Sequence, residues 1–249
     1  MNEIKLIAFD ADDTLWDCQG HFERVMQQLY TELEPWGDRQ TAARELFATE
    51  RKNMPMLGFG TKAFTLSVME TAMRVSHNEI RADRLWHIQQ LCYGLLEFPC
   101  TPLAEVEETL RALRETLTGS TATTGTGTTP APGCRMVVFT KGELQDQENK
   151  LRRSGLLRYF DDVTITSDKT QHEFRYLCEH NAIHPSQLLM VGNSLKSDIA
   201  PALAIGARAV YIPFHVTWEL EHTENFEHPR MVQIARFSEL MQVLGLKKI

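Results

Sequence analysis

The sequence predicts an α/β protein: a parallel sheet with helices on both faces, plus a smaller all-helical unit inserted after the first strand. Three observations predict it. Short apolar runs with little polar alternation recur along the chain, as strands covered on both faces require. Segments of helical periodicity lie between them, the rhythm of strand and crossover helix that builds a parallel sheet. The first crossover, finally, is far longer than a single helix needs.

Ile4 to Phe9 forms the first apolar run. From Cys18 to Cys100 no convincing strand follows. Instead Phe22, Val25, Met26, Leu29, Tyr30 and Leu33 recur at helical spacing. Phe64, Val68, Met69 and Ala72 form a second stripe, and Leu85, Ile88, Leu91, Cys92 and Leu95 a third. Pro35, Gly37, Pro55, Gly58 and Gly60 read as breakers between them. About four helices, residues 18–97, make the economical reading, with residues 1–17 and 98–249 forming the main domain. Pro102 opens a helix carrying Val106, Leu110, Leu113 and Leu117. Residues 118–133, rich in Thr, Gly and Pro, lack apolar anchors and read as a surface loop. Apolar runs at Met136 to Phe139, Val163 to Ile165, Leu188 to Val191 and Ala209 to Ile212 supply the remaining strands of a Rossmann-like sheet.

Composition narrows the function. The chain has 249 residues, 24% charged and 43% hydrophobic, an ordinary globular balance. A net charge of −7 argues against a broad nucleic-acid or anionic-membrane surface. The five cysteines are scattered and never paired as CxxC, which argues against a disulfide framework or zinc site and fits a reducing compartment. With neither a secretory signal nor a membrane span in view, the expected location is cytoplasmic. Monomer and homodimer both fit.

Chemistry gathers where the strands end. Ligands of parallel α/β sheets bind beyond the carboxyl ends of the strands. The first run ends in Asp10, with Asp12 next but one. The second ends in Thr140 and Lys141, the third leads to Ser167, Asp168 and Lys169, and the fourth to Gly192, Asn193 and Ser194, with Asp198 beyond. An acid pair, a hydroxyl, a lysine and an Asn/Asp pair on one rim suit phosphoryl transfer. One carboxylate attacks, a second moves the proton, and the hydroxyl and ammonium hold the nonbridging oxygens. Hard oxygen ligands select Mg²⁺ over zinc. The crowded acids at the first strand end are tolerable because a cation and a lysine neutralise them.

These residues resemble the haloacid dehalogenase superfamily of hydrolases. DxDxT matches Asp10-Ala11-Asp12-Asp13-Thr14, the second motif VVFT at Thr140, the third Lys169, and the fourth GNSLKSD from Gly192 to Asp198. The helical insertion resembles the family's C1 cap. The resemblance implies a phosphatase of a small phosphorylated metabolite, with Asp10 as nucleophile, Asp12 as general acid/base, Thr140 and Lys169 on the phosphoryl group, and Lys141 as a further substrate contact. Mg²⁺ would bind the Asp10 carboxylate, the Asp12 carbonyl and the fourth motif, through Asn193, Asp198 or both. Asn193 departs from the family, which usually has an acid there. A phosphomutase and a non-catalytic phospho-acceptor or ligand-binding protein are the alternatives.

Other residues carry smaller expectations. Asp13, Asp17 and Asp168 read as solvated or structural, and His215 and His222 as surface loop residues. In Gly58-Phe59-Gly60-Thr61-Lys62-Ala63-Phe64, Thr61 and Lys62 could attract an anion at a helix start. Trp16 could stack on a substrate or lie in the core.

Overall fold

A computed structural model describes residues 3–118 and 130–246. Six strands form one parallel sheet: β1 (Ile4–Phe9), β2 (Pro130–Lys141), β3 (Asp162–Thr166), β4 (Leu188–Gly192), β5 (Arg208–Tyr211) and β6 (Met231–Gln233). Their order is β3-β2-β1-β4-β5-β6, so β1 lies centrally between β2 and β4. Phe9 is level with Val138 on one side and Val191 on the other, which brings these strand ends to one rim. β6 was not anticipated; three residues, two of them exposed, are too few to show a period.

Alternation along the strands explains the two layers. Ile7 and Phe9 of β1, Met136 and Val138 of β2, and Leu189 and Val191 of β4 enter one core with Val106, Leu110 and Leu113. These last three lie on α5 (Val106–Thr118). Leu6 and Ala8, Val137 and Phe139, and Leu188 and Met190 enter the opposite core. There they meet Phe174, Leu177 and Cys178 of α7 (Gln171–His180). Each face buries its apolar half, which is why the strands read as continuous apolar runs.

Between β1 and α5 run four α-helices: α1 (Gln19–Leu33), α2 (Arg39–Leu57), α3 (Thr61–Val75) and α4 (Ala82–Tyr93). They share a core of their own, including Leu29, Leu33, Leu46, Val68, Ala72, Ile88 and Cys92. Pro55, expected as a breaker, lies inside α2. It falls in the last turn, where little helix remains to be interrupted; Gly58, at φ 71°, closes it by donating to the Met54 carbonyl. Pro102 precedes its helix rather than opening it, since α5 starts at Val106 and Pro102 bridges to Trp16. The segment expected as a loop lies mostly outside the described residues; Thr118 ends α5, and Pro130–Gly133 open β2. The remaining helices are α6 (Leu144–Ser154), α8 (Ala200–Ala204) and α9 (Glu239–Val243). All five cysteines are free and buried. Among the described residues no helix is long and apolar enough to cross a membrane.

Candidate active site

The chain passes from β1 outward to β2 and β3, then returns across β1 to β4. Strand order therefore reverses at β1 and β4, and a crevice opens at their carboxyl ends. Asp10 follows β1 directly, its N–H donating to the Val191 carbonyl at 2.9 Å. Asn193 follows β4. Both line one cavity with Asp12, Thr140, Lys141, Lys169 and Asp198. The strand ends thus bring together every residue expected at the site.

Asp10 is buried against a lysine. Lys169 Nζ donates to Asp10 Oδ1 and, at 2.7 Å, to Asp198 Oδ1. Asp198 Oδ2 accepts the Ser194 N–H at 2.9 Å, so neither of its oxygens is without a partner. That placement needs Gly192, where a Cβ would come 2.3 Å from Asp198 Oδ2. Burial and the charge of Asp198 push Asp10 up to about 7, outweighing Lys169. Lys169 keeps its proton despite burial, because Asp10 and Asp198 hold its pKa up.

Asp12 has a different setting. Its Oδ1 accepts the Trp16 indole N–H at 2.8 Å, and its Oδ2 accepts from Gln147 at 2.8 Å and Lys150 at 2.9 Å. Burial would raise its pKa, but the Lys150 charge and these three donors hold it below the usual carboxylate value. Lys150 is itself buried and also faces Asp146 at 3.7 Å. Asp13 turns the chain through φ 63°, and its carboxylate caps the start of α1, accepting the Cys18 and Gln19 N–H groups at 2.8 Å each. It is structural.

Three oxygens converge beside Asp10. Asn193 Oδ1 lies 3.1 Å from Asp10 Oδ2 and 3.3 Å from the Asp12 carbonyl oxygen, with Thr14 Oγ1 also at 3.1 Å. Two Mg²⁺ ligands at 2.0–2.1 Å and a right angle would be about 2.9 Å apart, so a carboxylate, a carbonyl and an amide oxygen at this spacing fit a hard cation. Turned over, the amide instead donates from nitrogen to Thr14 Oγ1, the Asp12 carbonyl and Asp10 Oδ2. Among the described residues no cluster of three His, Cys, Asp or Glu side chains has metal-binding geometry. This set draws on a main-chain carbonyl and an amide instead.

Lys141 is held at the rim. Its ammonium donates to Ser197 Oγ at 2.7 Å, pairs with Glu221 and lies 4.0 Å from the Phe59 ring centre. Glu221 also accepts from Ser194 and Ser197, at 2.7 and 2.6 Å. It lies on the segment after β5, which contributes Trp218 to the cavity as well.

Other expectations resolve one by one. Trp16 is fully buried and serves Asp12 rather than stacking in the cavity. Thr61 donates to Asp146 Oδ2 at 3.1 Å and Lys62 pairs with Glu143 at 3.1 Å, so both tie α3 to α6. Phe59 and Phe64 of the same stretch do line the cavity. Asp168, His215 and His222 are exposed. Sequence reading missed Gln147, Lys150, Glu50, Trp218 and Glu221. For Gln147 and Lys150 the one signal was their i, i+3 spacing on a helix whose composition suggests full solvation; the others carried none.

Residues 4–206 match the pattern of haloacid dehalogenase-like hydrolases. Human N-acylneuraminate-9-phosphatase is 29% identical over 226 residues, covering 84% of this chain and 82% of that one. The Rattus norvegicus enzyme of the same name is 22% identical over 221 residues, with the same coverage. A haloacid dehalogenase-like family hydrolase from Xanthomonas campestris superposes with a TM-score of 0.80 at 27% identity, over 97% of this chain and 92% of that one. The putative HAD-hydrolase YfnB of Bacillus subtilis, solved bound to magnesium, shares the fold at a TM-score of 0.66 and 16% identity, over 98% and 100% of the two chains.

Proposed function

The chain belongs to the haloacid dehalogenase-like hydrolase family, and from that premise we propose that it is a Mg²⁺-dependent phosphatase of a small phosphorylated metabolite. The observation that carries this reading is the pair of acids. Asp10 and Asp12 both line the cavity, but Lys169 and an oxygen-rich corner surround the first while three donors orient the second. One is set up to attack and the other to handle a proton. The phosphatase names of the relatives support the same choice.

Asp10 attacks phosphorus through the carboxylate oxygen, forming an aspartyl-phosphate. Thr140 and Lys169 bind nonbridging oxygens, where charge concentrates in the transition state. Asp12 protonates the leaving oxygen and then takes the proton of the water that hydrolyses the acyl phosphate. Asp10, the Asp12 carbonyl and Asn193 would hold the cation, which would supply charge neutralisation between carboxylate and phosphate. Asp198 positions Lys169 through one oxygen, while its other accepts the Ser194 N–H. Lys141 stands at the rim for a further oxygen of the substrate. The four helices of residues 18–97 act as a cap that walls the leaving-group pocket and excludes water. Five free buried thiols support a cytoplasmic setting.

The experiment is phosphate release from a panel of phosphorylated metabolites, with and without Mg²⁺ and with Asp10→Asn as control. Metal-dependent release lost in the control is expected. Stable phosphorylation of the protein without turnover would remove the hydrolase mechanism.

A further inference from the structure

The wall of the cavity built by α1, α2, α3 and the segment after β5 is mostly apolar, with Phe22, Met26, Met54, Phe59, Phe64 and Trp218 on it. Two polar groups from α2 interrupt it, Glu50 and Asn53, three residues apart and so on one helix face. Asn53 is buried, and its amide hydrogens go to Ser67 Oγ at 3.2 Å and Glu70 Oε2 at 3.1 Å. That leaves its carbonyl oxygen as the group with capacity to spare. Glu50 faces the Trp218 indole, and among the described residues no cation pairs with it. A single N–H leaves most of a carboxylate's acceptor capacity open. Burial, opposed by Trp218 and reinforced by Glu219, pushes its pKa up to about 7. A half-buried carboxylate with no cation beside it gains from a ligand that supplies the missing donor.

The lysines of the same cavity are in the opposite condition. Lys141 faces Glu221, Lys150 faces Asp12, and Lys169 faces Asp10 and Asp198. A second anionic group on a substrate would have to compete with Glu221 for Lys141 and with Asp12 for Lys150. It would also meet Glu50.

We propose that Glu50 and Asn53 select phosphate monoesters whose alcohol portion has an apolar body and carries hydrogen-bond donors, an ammonium above a hydroxyl, and reject those bearing a second anion. The selection rests on the phosphatase reading and concerns the leaving group, not the phosphoryl chemistry. An ammonium satisfies both acceptors and compensates the carboxylate charge, whereas a hydroxyl does only the first.

The test uses four alkyl phosphates of equal chain length that end in an amino, hydroxyl, methyl or carboxylate group, assayed with Mg²⁺ on the wild type and on Glu50→Gln. Charge-assisted hydrogen bonds contribute about 1.5–3 kcal/mol, or roughly 10- to 150-fold. The kcat/KM ratio of amino to carboxylate ester should therefore exceed about tenfold in the wild type and fall by a similar factor in Glu50→Gln. Because the readout is a ratio, a general loss of activity in the variant does not disturb it. Equal turnover of the amino and carboxylate esters, or a ratio unchanged in Glu50→Gln, would overturn the assignment. If no ester is hydrolysed, the phosphatase reading fails, and calorimetric binding of the same esters decides this one. Tighter binding of the amino ester by the wild type alone supports it, and equal binding of all four overturns it.

Discussion

Two carboxylates two residues apart, Asp10 buried and Asp12 half-buried, each with its own buried lysine, have opposite electrostatics. On the Asp10 side Lys169 is shared with Asp198, and burial prevails, so the carboxylate is raised to about 7. On the Asp12 side Lys150 is joined by Trp16 and Gln147, and the donors prevail, so the carboxylate is lowered. The difference lies in the fuller burial of Asp10, in the charge of Asp198 beside it, and in the larger number of donors that Asp12 receives. The carboxylate short of donors holds a proton more readily, whereas the one saturated with donors stays ionised and is fixed in place.

The strongest way to break the comparison is at the acids themselves. Asp10→Asn should lower kcat by about 10⁴-fold or more, because the nucleophile is gone. Asp12→Asn should lower it by about 10²- to 10⁴-fold, the range of general acid–base catalysis. Steady-state phosphate release checks both. Equal residual activity in Asp10→Asn and wild type would remove the nucleophile.

The lysines should separate next. Lys169→Met removes a charge from the phosphoryl oxygens and should cut kcat by about 10²- to 10³-fold. Lys150→Met touches no reacting atom but leaves Asp12 and Asp146 without their buried cation. Breaking a buried pair costs about 3–5 kcal/mol, and each kcal/mol shifts Tm by about 2–4 °C at this size, so a fall of roughly 6–20 °C is expected. Thermal melts alongside kinetics tell the two apart. A Lys150 variant with an unaltered Tm would show that the Asp12 clamp contributes no stability.

A gentler change sharpens the Asp10 side. Asn193→Asp restores a charge to the oxygen-rich corner, where a unit charge at ~4 Å is worth about 1 kcal/mol even in bulk water. The Mg²⁺ concentration for half-maximal activity should fall about fivefold or more. No change in a Mg²⁺ titration would place Asn193 outside the metal's contacts.

The smallest effect lies on α2. Glu50 has an ordinary value of 4.5 and a folded value of about 7, so the folded state holds its proton more tightly. Its contribution to stability is complete below pH 4.5 and is lost as pH rises through about 7. Glu50→Gln should therefore narrow the Tm difference between pH 5 and pH 8 by a few degrees. Asp10 and Asp13, also raised to about 7, would preserve part of the slope. An identical slope in variant and wild type would mean that burial does not perturb Glu50.

Local pattern alone determined much of this protein. Ile4 to Phe9 had to be a strand, since its residues alternate into two apolar layers, and Asp10 had to stand at its carboxyl end. The order of Asp10, Thr140, Lys169 and Asn193 likewise brought these side chains to one rim, because each stands at the end of a strand or in the loop just beyond it. What only tertiary structure decided is which groups meet across the chain. Lys150 reaches Asp12 over 138 positions, and Glu50 meets Trp218 from another element. Periodicity records which face of an element is buried, but not what the opposing element presents there. A charge on a polar helix therefore looks solvated until the fold buries it.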